Sequence, residues 1–143
     1  HTKKLVASNI ELFLDYCQRF YDRQFITRDV AHRGILERFE ENLNAYFHSD
    51  KPQMIGLPSV AYFADELNLS SNYFGDLVKK ETGQSAKDYI LFKTISIAKE
   101  KVFENDKTVN EIAYELGFKY PQHFTRLFKQ KVGVSPMEFR SLN

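Results

Sequence analysis

The sequence predicts an all-α protein: two helix-turn-helix units joined by a long linking helix and preceded by one extra amphipathic helix. Three observations predict it. Apolar residues recur at three- and four-residue spacings along the chain, and no segment alternates apolar and polar residues between turn signals as a strand does. The four prolines and six glycines are few and punctuate the periodic segments. From Leu57 onward the sequence repeats itself, and a period near 50 residues decides a fold before any single element does.

The first helix is expected over about Ala7–Arg23. Ile10, Leu14, Cys17 and Tyr21 keep helical spacing, Phe13 and Phe20 widen the stripe, and Leu12 and Tyr16 add apolar surface on the far side. A helix apolar on more than one face needs two partners. These are other parts of this chain, a second copy meeting it along a seam, or a domain upstream. The seam spans only about two heptads, short for a coiled coil. A second helix is expected over about Val30–Phe47, with Ile35, Leu36, Phe39, Leu43, Tyr46 and Phe47 as its stripe, and His48–Gln53 reads as a loop.

The repeat then sets the remaining elements. Val60, Ala64, Glu66 and Leu67 recur as Val109, Ala113, Glu115 and Leu116 at an offset of 49, and Phe74, Leu77, Lys79, Gly83 and Ser85 recur as Phe124, Leu127, Lys129, Gly133 and Ser135 at an offset of 50. One extra residue therefore lies in the second copy near Lys119–Pro121. Each copy reads as a short helix, a tight break at Asn68–Ser70 or Gly117–Lys119, and a second helix over about Ser71–Thr82 or Pro121–Val132 that stops at Gly83 or Gly133. Ala64 and Ala113 are small where crossing helices approach. Thr108 with Glu111, and Ser135 with Glu138 and Pro136, have the spacing of N-terminal capping boxes. The linking helix, about Ala86–Glu104, spans roughly 28 Å at 1.5 Å per residue. A turn of duplex DNA is roughly 34 Å.

Composition narrows the function classes. At 143 residues, 43% apolar and 27% charged, the chain is long enough for one cored domain with a short extension and too apolar for wholesale disorder. Its single cysteine excludes a disulfide scaffold or a multi-thiolate zinc site. No run approaches the length of a membrane span, and no signal peptide is visible, so a cytoplasmic protein is expected. The first residue is His1, which reads as an excised fragment or the scar of a tag. His1, His32, His48 and His123 are scattered, and neither a glycine-rich phosphate loop nor a nucleophile elbow is present. No enzyme, metal or cofactor is expected. The net charge of +1 hides an asymmetry, because Lys119, Arg126, Lys129 and Lys131 fall between Gly117 and Met137 with no acid among them.

Val109-Asn-Glu-Ile-Ala-Tyr-Glu-Leu-Gly-Phe118, Phe124-Thr-Arg-Leu-Phe-Lys129 and Gly133-Val-Ser-Pro-Met-Glu-Phe-Arg140 resemble the C-terminal DNA-binding domain of AraC/XylS-type bacterial transcription regulators. The first unit matches in register through Ala64, Leu67, Tyr73-Phe74 and Lys79–Gly83. The resemblance covers roughly residues 27–143 and implies seven helices, with the first helix-turn-helix at about 59–83, the linking helix at 86–104 and the second at about 108–133. Residues 1–26 would then be a linker or dimerisation helix ending an absent N-terminal effector or dimerisation domain, with Ile10, Phe13, Leu14, Cys17, Phe20 and Tyr21 as its contact face. The partners implied are double-stranded DNA, RNA polymerase as a further one, and a second copy in the full-length homodimer; no membrane is implied.

In such a domain the N-terminal part of each unit's second helix reads base edges. The matching residues are Pro121, Gln122, His123 and Arg126 in the second unit, and Ser71, Asn72 and Gly75 in the first. Arginine can fork onto guanine and glutamine onto adenine. Phosphate contacts are expected from Lys79, Lys80, Thr125, Lys129 and Lys131, and more weakly from Tyr120 and Lys107. Two residues depart from the pattern: Asp76, where many members carry a base and which Lys79 or Lys80 could pair, and Thr94, where they often carry arginine. Gly75 suggests close approach of its backbone to DNA or close packing. The competing reading is a helical protein-interaction module with weak or no DNA binding. Asp76 and the near-zero net charge favour it, and the basic second helix opposes it.

Overall fold

The computed structural model describes residues 2–104 and 106–142, with the side chains of residues 24–26 left aside; His1 lies outside them. The described residues form eight helices: α1 (Thr2–Phe47), α2 (Lys51–Ile55), α3 (Val60–Glu66), α4 (Ser71–Thr82), α5 (Ala86–Glu104), α6 (Val109–Glu115), α7 (Pro121–Val132) and α8 (Pro136–Ser141). No strand occurs among them. The chain divides into two units, residues 1–36 and 37–143.

In the first unit the helix exposes its apolar residues. Ile10, Phe13, Leu14, Phe20 and Tyr21 are each more than half exposed, and Cys17 is exposed as well. The expected break between Arg23 and Val30 does not occur, since α1 runs unbroken through it. That segment contains neither glycine nor proline to stop a helix. The Thr27 hydroxyl donates to the Arg23 carbonyl 2.9 Å away, within the helix, instead of capping a new one.

The second unit is built on the repeat. Ser59, Ser70 and Thr108 cap α3, α4 and α6, each side-chain oxygen accepting from a backbone N–H three residues on at 3.1 Å. Ser85 does the same for α5. At Ser135 the box is complete, because Glu138 also returns a bond to the Ser135 N–H. At Thr108 only the hydroxyl arm of the expected box is made among the described residues. The turns match as closely. The Leu69 N–H reaches the Ala64 carbonyl at 2.9 Å and the Phe118 N–H reaches the Ala113 carbonyl at 3.0 Å, with Asn68 and Gly117 in left-handed conformation at φ 57° and 99°. Gly83 and Gly133 close α4 and α7 as left-handed caps, their N–H groups on the Lys79 and Lys129 carbonyls at 2.9 Å. The segment expected as a loop after α1 contains α2. Pro52 sits in its first turn, where a missing N–H costs nothing and the fixed φ suits a helix.

Two aromatic clusters fill the core. Phe39 stands edge-on to Phe63 and Phe74 at 5.4 and 4.9 Å, and Phe124 lies between Phe118 and Phe128 at 5.2 and 5.8 Å. Helix α5 runs between them, burying Ile90, Thr94, Ala98 and Val102 along one stripe and touching α3, α4, α6, α7 and α8. Ala64 and Ala113 are fully buried, as helices approaching this closely require.

Candidate nucleic-acid interface

The core decides which face of α4 and α7 meets solvent. With Phe124 and Phe128 fully buried and Leu127 half-buried, α7 must turn Gln122, His123, Arg126, Lys129 and Lys131 outward, and all five are exposed. Pro121 and Thr125 are half-buried beside them. Gln122 and Arg126 are one turn apart on one face. Together with Thr125, Lys129 and Pro121 they line a groove whose other wall is Asn110 and Tyr114 of α6 and Tyr120 of the turn. Asn110 and Tyr114 are members of this face that the sequence did not single out. Their signal would have been the outward positions of the preceding helix, opposite the buried Ile112 and Ala113. His123 leans to the other side, its ring edge-on to the buried Phe118 at 5.5 Å. No side chain caps α7, and its N-cap residue, Tyr120, has the Lys119 ammonium 5.6 Å from its ring.

In α4 the buried residues are Phe74, Leu77 and Val78, so Ser71, Asn72, Asp76, Lys79 and Lys80 are exposed and Gly75 is half-buried. A β-carbon added at Gly75 would meet nothing within 4 Å, which removes close packing as the reason for that glycine. The Lys79 ammonium donates to the Gly83 carbonyl at 3.0 Å, closing the helix end; it is not directed at Asp76.

Lys107, a weaker candidate for phosphate, is engaged elsewhere. It pairs with Glu115, which Lys101 also approaches at 3.3 Å. Burial pushes the Glu115 carboxyl up, but hydrogen bonds from Lys107 and Lys101 outweigh it and hold the group below the usual carboxylate range. Among the described residues no cluster of three His, Cys, Asp or Glu side chains could hold a metal ion, and no helix is long and apolar enough to cross a membrane.

Two tandem helix-turn-helix units on a shared linking helix, with hydrogen-bonding and cationic side chains turned outward from the second helix of each, define a DNA-binding regulator domain. The family model for a helix-turn-helix domain matches residues 63–141, and the chain belongs to that family, in its AraC/XylS-type branch of transcription regulators. It is 31% identical over 139 residues to the uncharacterized HTH-type transcriptional regulator YfiF of Bacillus subtilis, covering 96% of this chain and 40% of that protein. It is 32% identical over 134 residues to the transposon Tn10 TetD protein of Escherichia coli, covering 94% and 83%. The chain spans 40%, 21% and 13% of YfiF and of two further Bacillus subtilis regulators, YesN and YtdP. Among solved structures it is similar to the C-terminal domain of AraT, a response regulator from Geobacillus stearothermophilus (TM-score 0.66, 24% identity, 76% of this chain and 85% of that one). It is also similar to the DNA-binding domain of AdpA in complex with a target DNA (TM-score 0.63, 19% identity, 76% and 90%).

Proposed function

We propose that α4 and α7 enter successive major grooves on one face of a duplex and that α7 dominates the reading. Its base-reading side chains are Gln122 and Arg126, with Pro121 beside them, while His123 is turned to the other side against Phe118; Asn72 and Ser71 serve in α4, where Gly75 lets the backbone come near. Lys80, Thr125, Lys129 and Lys131 hold phosphates, and Lys79 can do so by leaving Gly83. The observation that carries this reading is the outward face of α7, cationic and free of acids, fixed by the burial of Phe124 and Phe128 behind it. The 19-residue α5 is itself roughly 28 Å long, which is comparable with a helical repeat of roughly 34 Å and supports a two-groove reading.

The rest of the reading concerns the whole regulator. Residues 1–26 are a linker or dimerisation helix and residues 27–143 the DNA-binding domain. The apolar face of Ile10, Phe13, Leu14, Cys17, Phe20 and Tyr21 meets a second copy or an upstream domain. The protein works in the cytoplasm without catalysis, and RNA polymerase is a further partner.

Selection of sites from random duplex DNA tests this. Two enriched blocks about one helical turn apart support reading by both helices. In binding titrations Arg126→Ala should cost roughly 1–3 kcal/mol and relax one base pair, whereas Lys129→Ala should weaken all sequences alike and flatten the salt dependence. An Arg126→Ala protein that binds every sequence as the parent does would remove base reading from α7. Absence of enrichment would favour the protein-interaction module, the reading to which the exposed Asp76 on α4 lends weight.

A further inference from the structure

Beside the DNA-facing groove lies a second, different concavity. It opens between the segment leading into α3, helix α5 and the inner side of α7, with a cavity volume of about 550 Å³. That is the size of sites that enclose small organic molecules. Its walls are Val60, Ile90, Leu91, Phe118 and Leu127, and Ile90 and Phe118 are buried beneath it. The floor carries Thr94, whose hydroxyl proton is engaged by the Ile90 carbonyl at 2.8 Å. Water in such a cleft finds few partners, so an apolar occupant gains by displacing it.

The rim determines the charge of that occupant. Among the lining residues the ionisable side chains are Lys87 and His123, and none is a carboxylate. Lys87 is exposed at the start of α5, where the helix dipole also favours an anion. We propose that this cleft binds a small amphipathic carboxylate, with its apolar body against Leu91, Phe118 and Leu127 and its head group at Lys87 and His123. Two of its walls belong to α5 and α7, so the occupant fixes the recognition helix against the linking helix. A DNA-binding domain built this way takes a small-molecule signal directly, besides any signal from the rest of the regulator.

The test is calorimetric titration of the full chain with 4-phenylbutyrate, and with 4-phenylbutanol as its uncharged counterpart. No DNA is present, so the outcome does not depend on the base-reading assignment. The parent should bind the carboxylate saturably at one site. Lys87→Glu, a surface change, should weaken the carboxylate about tenfold or more and leave the alcohol unchanged. Thr94→Arg, which fills the floor, should abolish binding of both. The proposal is overturned if the parent shows no saturable binding up to about 5 mM. It is equally overturned if Lys87→Glu binds the carboxylate as the parent does, or if a helical Thr94→Arg protein retains parental affinity.

Discussion

Gly117 and Gly133 form a natural experiment in backbone crowding. Both have nearly the same left-handed φ, 99° and 98°. A β-carbon on Gly133 would meet nothing within 4 Å, whereas one on Gly117 would lie 2.6 Å from the Gly56 carbonyl carbon and 2.8 Å from the Gly56 oxygen and the Leu57 nitrogen. All three atoms are backbone and cannot swing aside, and Gly56 is itself held by the Tyr46 hydroxyl, which donates to its carbonyl at 2.7 Å. Alanine at either position stores roughly 1–3 kcal/mol of conformational strain. At Gly117 overpacking adds roughly 1–3 kcal/mol. Gly117→Ala should therefore lose roughly 2–6 kcal/mol, a large part of the roughly 5–15 kcal/mol typical of a domain. Urea denaturation followed by far-ultraviolet circular dichroism reads both variants against the parent. If the two alanines cost the same within about 0.5 kcal/mol, the close approach of the second turn to Gly56 does not constrain the fold, and the reasoning fails.

Gly75→Ala should raise stability by up to about 1 kcal/mol, because the added methyl meets open space in a helix interior; a lower DNA affinity in the same protein would assign the glycine to backbone approach, and an unchanged affinity would exclude that. Glu115 is held below its unfolded pKa, so the stability it lends is complete above roughly pH 4.3 and drains away as pH falls through its folded value. Glu115→Gln should be less stable near neutrality by under about 1 kcal/mol and show a flatter acid limb in denaturation midpoint against pH. The Tyr89 hydroxyl is pushed up to about 12 by burial and by its hydrogen bond to Glu40. Its stabilising contribution is complete below about pH 10 and lost as pH rises from there through the folded value of about 12. Ultraviolet titration should show a late phenolate step, absent in Tyr89→Phe.

The duplicated helical plan was legible because the features that define it are local. Thr108 and Ser135 begin helices and Gly83 and Gly133 end them, whatever surrounds them. The outward face of α7 was legible for the same reason: once Phe124 and Phe128 are assigned to the core, helical periodicity turns Gln122 and Arg126 away from it. What escaped the sequence depends on distant partners or on features that are absent. A separate helix was expected to start near Val30, but nothing over residues 24–29 breaks a backbone, and the helix continues. Lys107 looked available because its pairing with Glu115, eight residues on, has no signature in the spacing of the sequence. Asn110 and Tyr114 join the groove of α7 through the crossing of two helices, which no spacing within either one announces. The demand for glycine at position 117 comes from Gly56, a residue remote in sequence.

Helix α5 has a thermodynamic consequence. Ile90, Thr94, Ala98 and Val102 are buried along its length, and at its far end the Arg140 guanidinium donates to the Val102 carbonyl at 3.1 Å. Neither half of the repeat owns a complete core without this shared helix, so neither can open alone to any depth. The amide protons at the centres of α4 and α7 should exchange with solvent at one common free energy, the two copies melting as a single cooperative body despite their repeated sequence.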